Sequence, residues 1–537
     1  LIEALDDESV LVRFDRAWRA KNQSWDLYHR AFAFVQPDRN VLSFGSPGAL
    51  DAYGQEGQRL DYAVVDSQAV RSAGKLSSRI KETLCPKGME FLKLEPGSAI
   101  SEDSGADMDA VTEYLEALTR ACFSAIRTSN FDLAVSECFS DLIIGTGALI
   151  VSADSTQPSG IRFSCPPFPT YAFDEDQTGR VDGVFRMHKM PARLIRRFWP
   201  MAKIPDEVKH DEKEDSILCE AYARNPETGM VDCRVYYSGT GMQAMPGGGN
   251  WDPRQAPIFE VSYRRHPWAI ARWSKLPGEM DGRGPSIQGL GDIQTLNAVK
   301  RTLLEAADLA IDPVMQVDNS VYALNPELTE IRPGQTVRVA RSDALTPLQW
   351  GGRPDLAQFE LEDLRRSVRE VFIDKGLPDE QRSEAMTAAE VIERVKELQG
   401  DISSPFERIM HELLIPAFER IFEVLEDSGR APPGSGGIRI DGAHVEARPV
   451  SALAQAQSAS DLEAVMSWIQ MLGAMDPTGS VMLNVDLGKV ARWSARKLGV
   501  DPSLLRTASE AEQLAAMVSA QAQRMAQEMG GAAGGQG

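Results

Sequence analysis

Between Gly282 and Val424 two strongly helical segments flank a strand-like insertion, and a short Gly/Pro loop then leads into a third, longer helical run. Rods in that order make a poor reaction pocket and a good wall. In the first segment, Ser286 to Ile311, the residues Ile287, Leu290, Ile293, Leu296, Val299, Leu303, Leu304 and Ala307 recur at three- and four-residue steps, the spacing of one apolar helix face. At 1.5 Å per residue such a helix spans roughly 35 to 40 Å. Pro285 suits a first helical turn, and Asp312-Pro313 ends the run because proline disfavours helical geometry in its predecessor.

From Pro313 to Pro354 the pattern becomes strand-like, with Val314, Gln316, Val317 and then Gln335, Val337, Val339, separated by the turn dipeptides Asn325-Pro326 and Pro333-Gly334. A connection this long between helices forms a unit of its own. Helical spacing resumes behind Asp355 as N-cap, through Leu356, Phe359, Leu364, Val368, Val371 and Phe372, and stops at Asp374-Lys375-Gly376-Leu377-Pro378. Thr387-Ala388-Ala389-Glu390 is a capping box. The run after it continues to Leu425, roughly 60 Å if unbroken, with Gly400, Pro405 and Pro416 as points where the backbone ladder weakens. Rods of that length predict an elongated subunit or packing between subunits.

The stretches GRGPSIQGLGDIQTLN (Gly282 to Asn297), ECFSDLIIGTGALIVSAD (Glu137 to Asp154) and MTAAEVIERVKEL (Met386 to Leu398) resemble the head-to-tail connector, or portal, proteins of short-tailed (podovirus-type) bacteriophages. The resemblance runs from the helix around Trp25 to Arg30 through DLEAVMSWIQMLGAMDP (Asp461 to Pro477). It implies an α+β portal fold with a mixed α/β wing, a long-helix stem, a small β-rich clip and an α-helical C-terminal crown. Carried onto this chain, residues 1–285 are wing, 286–311 stem, 312–354 clip, 355–373 stem, 374–386 tunnel loop, 387–450 wing and 451–537 crown. The family forms a ring, usually of twelve subunits, at one capsid vertex, through which double-stranded DNA is packaged and ejected without sequence specificity. The implied partners are sister copies, a terminase motor, tail adaptor proteins, and major capsid and scaffold or internal core proteins; the implied location is the virion's portal vertex, with host cytoplasm during assembly.

Composition sets limits on this reading. With 537 residues, 43% hydrophobic and 25% charged, the chain is long enough for two to four domains. Its longest apolar run, Leu142 to Ala153, falls short of the roughly 20 residues of a membrane-spanning helix, so no membrane is expected. The six cysteines are far apart with no C-x-x-C pair, the pattern of buried thiols. His411-Glu412 lacks the second histidine of H-E-x-x-H, whose place Ile415 occupies, so neither metal nor cofactor is expected. Gly74-Lys75 and Gly488-Lys489 lack the rest of a phosphate-cradling loop, and no G-x-S-x-G elbow occurs. A nucleotide-hydrolysing packaging enzyme and a long-helix structural scaffold are the alternatives; the first lacks its motif and the second its sustained heptads.

The net charge of −21 is wrong for a protein that grips DNA and right for a channel that phosphates slide past, if the acids face the bore; it is equally the charge of a merely soluble protein. Local basic positions stand out: Arg332, Arg338, Arg341 and Arg353 in the clip, Arg365, Arg366 and Arg369 on the second stem helix, and Lys375 and Arg382 in the tunnel loop. They fit transient phosphate contacts, or ion pairs between subunits with Glu360, Glu362, Asp363 and Glu370.

Overall fold

Helix α1 (Asp7–Val35) carries two apolar patches in series, and the molecule uses one for each of two cores. The computed structural model describes residues 7–38, 64–88, 90–96, 108–204, 215–239, 256–311, 315–326, 338–341, 343, 345–347, 354–374, 405–432, 445–449 and 465–471, with 490 and 494. The chain divides into two units, residues 1–449 and 450–537. In the second, residues 465–471 are helical and leave Met466, Trp468 and Met471 about half exposed.

The first unit is a mixed α/β body. Leu11, Phe14 and Trp18 of α1 lie on one face of a five-stranded antiparallel meander built from β4 (Tyr171–Glu175), β5 (Val181–Pro191), β6 (Asp215–Arg224), β7 (Val231–Gly239) and β8 (Phe259–Tyr263), which pair in that order. Phe14 meets Phe185 edge-on at 5.4 Å. Further along α1, Trp25, Tyr28 and Phe32 gather around Phe168 at 5.0 to 6.3 Å and belong to the larger core. That core holds α2 (Gln68–Leu84), α3 (Met108–Arg127), α4 (Phe131–Leu142) and a three-stranded sheet in the order β3-β2-β9, with β2 Thr146–Ala153, β3 Ile161–Ser164 and β9 Trp268–Arg272. Each fully buried aromatic or aliphatic side chain here stabilises the fold by about 1.5 to 3 kcal/mol.

The helix read from Asp355 to Phe372 is found at Pro354–Val371, within two residues of its spacing; the strands differ more. All five residues of β9 are buried, so no polar–apolar alternation marks it. Strand β1 (Leu92–Pro96) pairs antiparallel with β12 (Val445–Pro449), a partner some 350 positions later. The helix start at Thr387 lies outside the described residues.

The last helical run is described from residue 405. Pro416 has no N–H to give to the carbonyl of Glu412, and the helix widens to a π-turn over Met410–Leu414 before resuming as an α-helix, Ile415–Asp427. The widened turn places Glu412 against Arg272, which is buried at the end of β9; the Glu412 carboxylate accepts from the Arg272 backbone N (3.0 Å), Nε (3.1 Å) and Nη2 (2.6 Å). Glu175 takes the remaining Nη1, so the buried guanidinium is paired on both sides. His411 is exposed, and among the described residues no group of three or more His, Cys, Asp or Glu is placed to hold a metal ion. All six cysteines are free thiols, five of them buried. Among the described residues no helix is long and apolar enough to cross a membrane.

Candidate functional site: the root of a projecting helix pair

Two of the stretches singled out in the sequence meet at one point, where backbone touches backbone. Gly284 N donates to Ile144 O (2.9 Å), Trp273 N to Gly145 O (2.9 Å), and the Tyr28 hydroxyl to Gly282 O (2.9 Å). A Cβ on Gly284 would stand 2.1 Å from the Ile143 carbonyl oxygen, and one on Gly145 2.0 Å from that of Gly282. The glycines are there because no side chain fits between the strands of chain. Beside them Asp281 faces Lys21, 3.7 Å away, whose ammonium donates to Tyr171 O at 2.7 Å and lies 3.6 Å from the Phe168 ring centre. Burial lowers Lys21 to about 8 against the pull of Asp281, and burial likewise pushes Asp281 upward against Lys21.

From this root the chain enters a short helix α6 (Pro285–Gln288), breaks at Gly289, and continues as α7 (Leu290–Ile311). The expected single helix from Ser286 is thus interrupted at Gly289, whose backbone leaves helical geometry at φ −91° and ψ 9°; a Cβ there would come within 2.9 Å of the Val371 side chain. Helix α9 (Pro354–Val371) returns alongside, with Ser367 donating to Asp292. Pro354 is itself the first helical residue, ahead of the expected cap at Asp355, since a proline needs no N–H partner there. Between the two helices lie β10 (Met315–Val317), α8 (Asn319–Leu324) and β11 (Leu345–Pro347), with β10 and β11 antiparallel. Of the second strand expected at Gln335 to Val339, residues 335–337 lie outside the described residues and Arg338 and Val339 are not in a strand; the partner of β10 is Leu345–Pro347.

Among the described side chains, burial within the chain is concentrated in the near half of the pair and reaches Leu361 on α9. Ile293, Leu296, Val368 and Phe372 are fully covered. Beyond them Leu304 is 50%, Phe359 77% and Ile311 83% exposed. Interspersed with these are the exposed acids Glu305, Asp308, Glu360, Glu362 and Asp363, against Arg301 and Arg366, while Arg369 and Glu370 are exposed beside Val368 in the near half.

Two buried carboxylates fasten the near half to the body. Asp66 caps the approach to α2 by accepting from Gln68 N, and also receives Lys300 of α7 (3.1 Å) and Arg365 of α9 (2.7 Å). Burial opposes its charge, but Arg365, the Gln68 amide and Lys300 together hold its carboxyl below the usual carboxylate range. Asn297 adds a second tie, accepting from the backbone N of Val65 (2.7 Å) and Asp66 (2.8 Å). At the other end of α9, Asp374 accepts from the Ser72 hydroxyl (2.9 Å) and Lys75 (3.2 Å) of α2, and Arg79 donates to Ile373 O (2.9 Å). Ile373 sits at φ 54°, a left-handed turn held by these contacts.

The basic positions singled out in the sequence fall into different settings. Arg365 is in the Asp66 tie, a partner far from its own helix. Arg366 pairs with Asp363 one turn away, both largely exposed, and Arg369 is exposed on the last turn of α9. Arg338 and Arg341 are exposed beyond the far end of the pair; the Arg338 amide donates to the Asn325 side chain, and Arg341 meets Asp343. Arg332, Arg353, Lys375 and Arg382 lie outside the described residues. The ties that join Asp66, Lys75, Asn297, Lys300 and Asp374 leave no local signal, because each links positions more than 200 apart.

A family model for the bacteriophage head to tail connecting protein matches residues 8–505. The chain is 26% identical over 539 residues to a probable portal protein of Bordetella phage BPP-1, covering 94% of this chain and 90% of that one. It is 22% identical over 354 residues to a portal protein of Pseudomonas phage phiKMV, 64% of each chain. With a match that long over the same segments that form the root and the helix pair, the chain belongs to the family of bacteriophage head-to-tail connecting proteins.

Proposed function

We propose that this chain assembles into a closed ring, of twelve copies in the short-tailed phage type, at one capsid vertex, and that double-stranded DNA passes through its hole during packaging and ejection. The observation that carries this reading is the far half of α7 and α9: Leu304, Ile311 and Phe359 are left in water on rods whose near halves are firmly rooted. Sister copies placing the same surfaces side by side would cover them, and contacts of that obligate kind commonly bury more than ~2,000 Å². In such a ring the helix pair is the stem and the segment between its helices the clip, where a terminase motor docks first and tail adaptors later. The wing would meet capsid and scaffold or internal core proteins.

Mechanism in this reading is mechanical. The surplus of acids on the exposed helix surfaces would repel phosphates where those surfaces face the hole, so that DNA slides and is not held. Lys375 and Arg382, in the segment following the Asp374 tie, supply the transient phosphate contacts, and Arg332, Arg338, Arg341, Arg353, Arg366 and Arg369 are the further candidates. Arg365, engaged by Asp66, is assigned to holding the stem. Deleting Lys375 to Arg382 tests the channel role: rings of normal size should form on electron micrographs while packaged or retained DNA falls. Normal DNA content with the deletion would remove the loop from the mechanism.

A further inference from the structure

Opposite the face of the five-stranded sheet that α1 covers, residues 192–204, opening with the short helix α5 (Ala192–Phe198), form a ridge with a rigid inner side and an unusual outer side. The inner side is pinned: Ile195 is fully buried with Leu218, Cys233, Val235 and Ile258, and Trp199, Ala202 and Ile204 pack against them. Trp199 stacks over His188 at 6.1 Å, and Lys203 N donates to Ile258 O at 2.7 Å. The outer side presents Arg196, Arg197, Phe198, Pro200, Met201 and Lys203 to solvent, with Phe198 63% and Met201 83% exposed.

Among the described residues several cations meet no carboxylate, Arg16, Arg71, Arg120, Arg127 and Arg180 among them, but the ridge gathers three within residues 196–203 of a chain of net charge −21. Arg13, Arg224, Arg234, Arg264, Arg265, Arg272, Arg283 and Arg420 each meet a carboxylate. Arg196, Arg197 and Lys203 meet none among the described residues. Pinning on the inner side fixes Phe198 and Met201 outward, so their exposure is not a matter of a loose segment.

We propose that this ridge is a docking surface for an acidic, partly apolar peptide segment of another protein of the phage particle. Carboxylates on such a segment pair with the two arginines and the lysine, and its apolar side chains cover Phe198 and Met201; arginine, aromatic and methionine side chains are what binding hot spots and adaptable interfaces use. Nucleic acid satisfies the cations through phosphates but leaves the two apolar groups uncovered. The acidic apolar surface the chain itself offers, around Leu304, Ile311 and Phe359, is taken up by stem packing if the ring reading holds, and on that reading this proposal rests.

The test replaces Phe198, and separately Met201, with p-benzoylphenylalanine in chains assembled into capsids, with Glu227 as an exposed control position. Irradiation should give a cross-link, absent from the control, that mass spectrometry maps to an acidic segment of a different particle protein. A synthetic peptide of that segment should then bind the purified protein, and F198S/M201S and R196E/R197E should each weaken it at least tenfold with the melting temperature unchanged. Cross-links to a second copy, to DNA or to this chain's own 206–215 run, no product above the control, or equal affinity of the variants would each overturn the proposal. Native mass spectrometry of the same sample reads ring assembly separately, so loss of the ring and loss of the docking surface are told apart.

Discussion

The near and far halves of helix α7 have the same apolar spacing and opposite fates. Around Ile293 and Leu296 the stripe is sealed by α9 and the body, and Asn297 and Lys300 are tied to the segment before α2. From Arg301 onward most side chains are exposed, Leu304 and Ile311 among them. A periodic stripe therefore says that a helix face will be covered, and does not say by what. The near half is satisfied within the molecule; the far half is the part that asks for another chain.

The comparison can be broken most drastically at the root. Gly284→Ala and Gly145→Ala each place a Cβ about 2 Å from a carbonyl oxygen that is backbone and has nowhere to go. Each should cost about 3 kcal/mol or more, read as a fall in the denaturation midpoint, whereas Gly291→Ala, with open space around it, should be neutral or slightly stabilising. Equal tolerance at Gly284 and Gly291 would mean the root is not tightly packed.

Acid offers the next largest effect. Burial lowers His188 to about 4, opposed by Glu220, and lowers His266 to about 3, opposed by its bond with Trp268. Both folded values lie below the ordinary 6.5, so as pH falls the unfolded chain takes up protons first. Stability is present above pH 6.5 and is lost on acidification, by about 1.4 kcal/mol per pH unit for each histidine between that point and its folded value, below which the loss levels off. Denaturant melts at pH 7 and pH 5 should show the loss, and H188Q should reduce the slope; an unchanged slope would place the titration elsewhere.

Within the near half, Asp66→Ala leaves Lys300 and Arg365 without their carboxylate and should cost about 1 to 3 kcal/mol. Hydrogen exchange of residues 361–374 should speed up. Asp374→Asn keeps the shape and loses the charge toward Lys75 and Arg79, so a smaller effect in the same segment is expected. The far half should respond least as an isolated chain: Leu304→Ser with Phe359→Ser should change monomer stability by no more than about 0.5 kcal/mol. The same pair should reduce ring assembly at least tenfold, a contrast the near-half variants do not show.

Much of this fold is legible in the residues and part is not, for physical reasons. The helices of α1, α3, α7 and α9 show in three- and four-residue spacing because each has one face in a core and one in water. Strand β9 does not show, since both its faces are buried and its alternation is erased. Pro416 marks a disturbed ladder in advance, but only the structure gives its form, a π-turn that brings Glu412 onto Arg272. The ties through Asp66 and Asp374 join residues 299 and 302 positions apart, and no local pattern encodes such pairs. Among the basic positions, Arg365 reads in sequence like Arg366 and Arg369; only the approach of Asp66 separates it from them.

The most direct test of the central claim is the mass of the purified protein in native mass spectrometry at micromolar concentration and physiological salt, paired with electron micrographs down the particle axis. The account predicts closed rings around a central hole, lost when Leu304 and Phe359 are made polar. A stable monomer with those side chains still in water would contradict it.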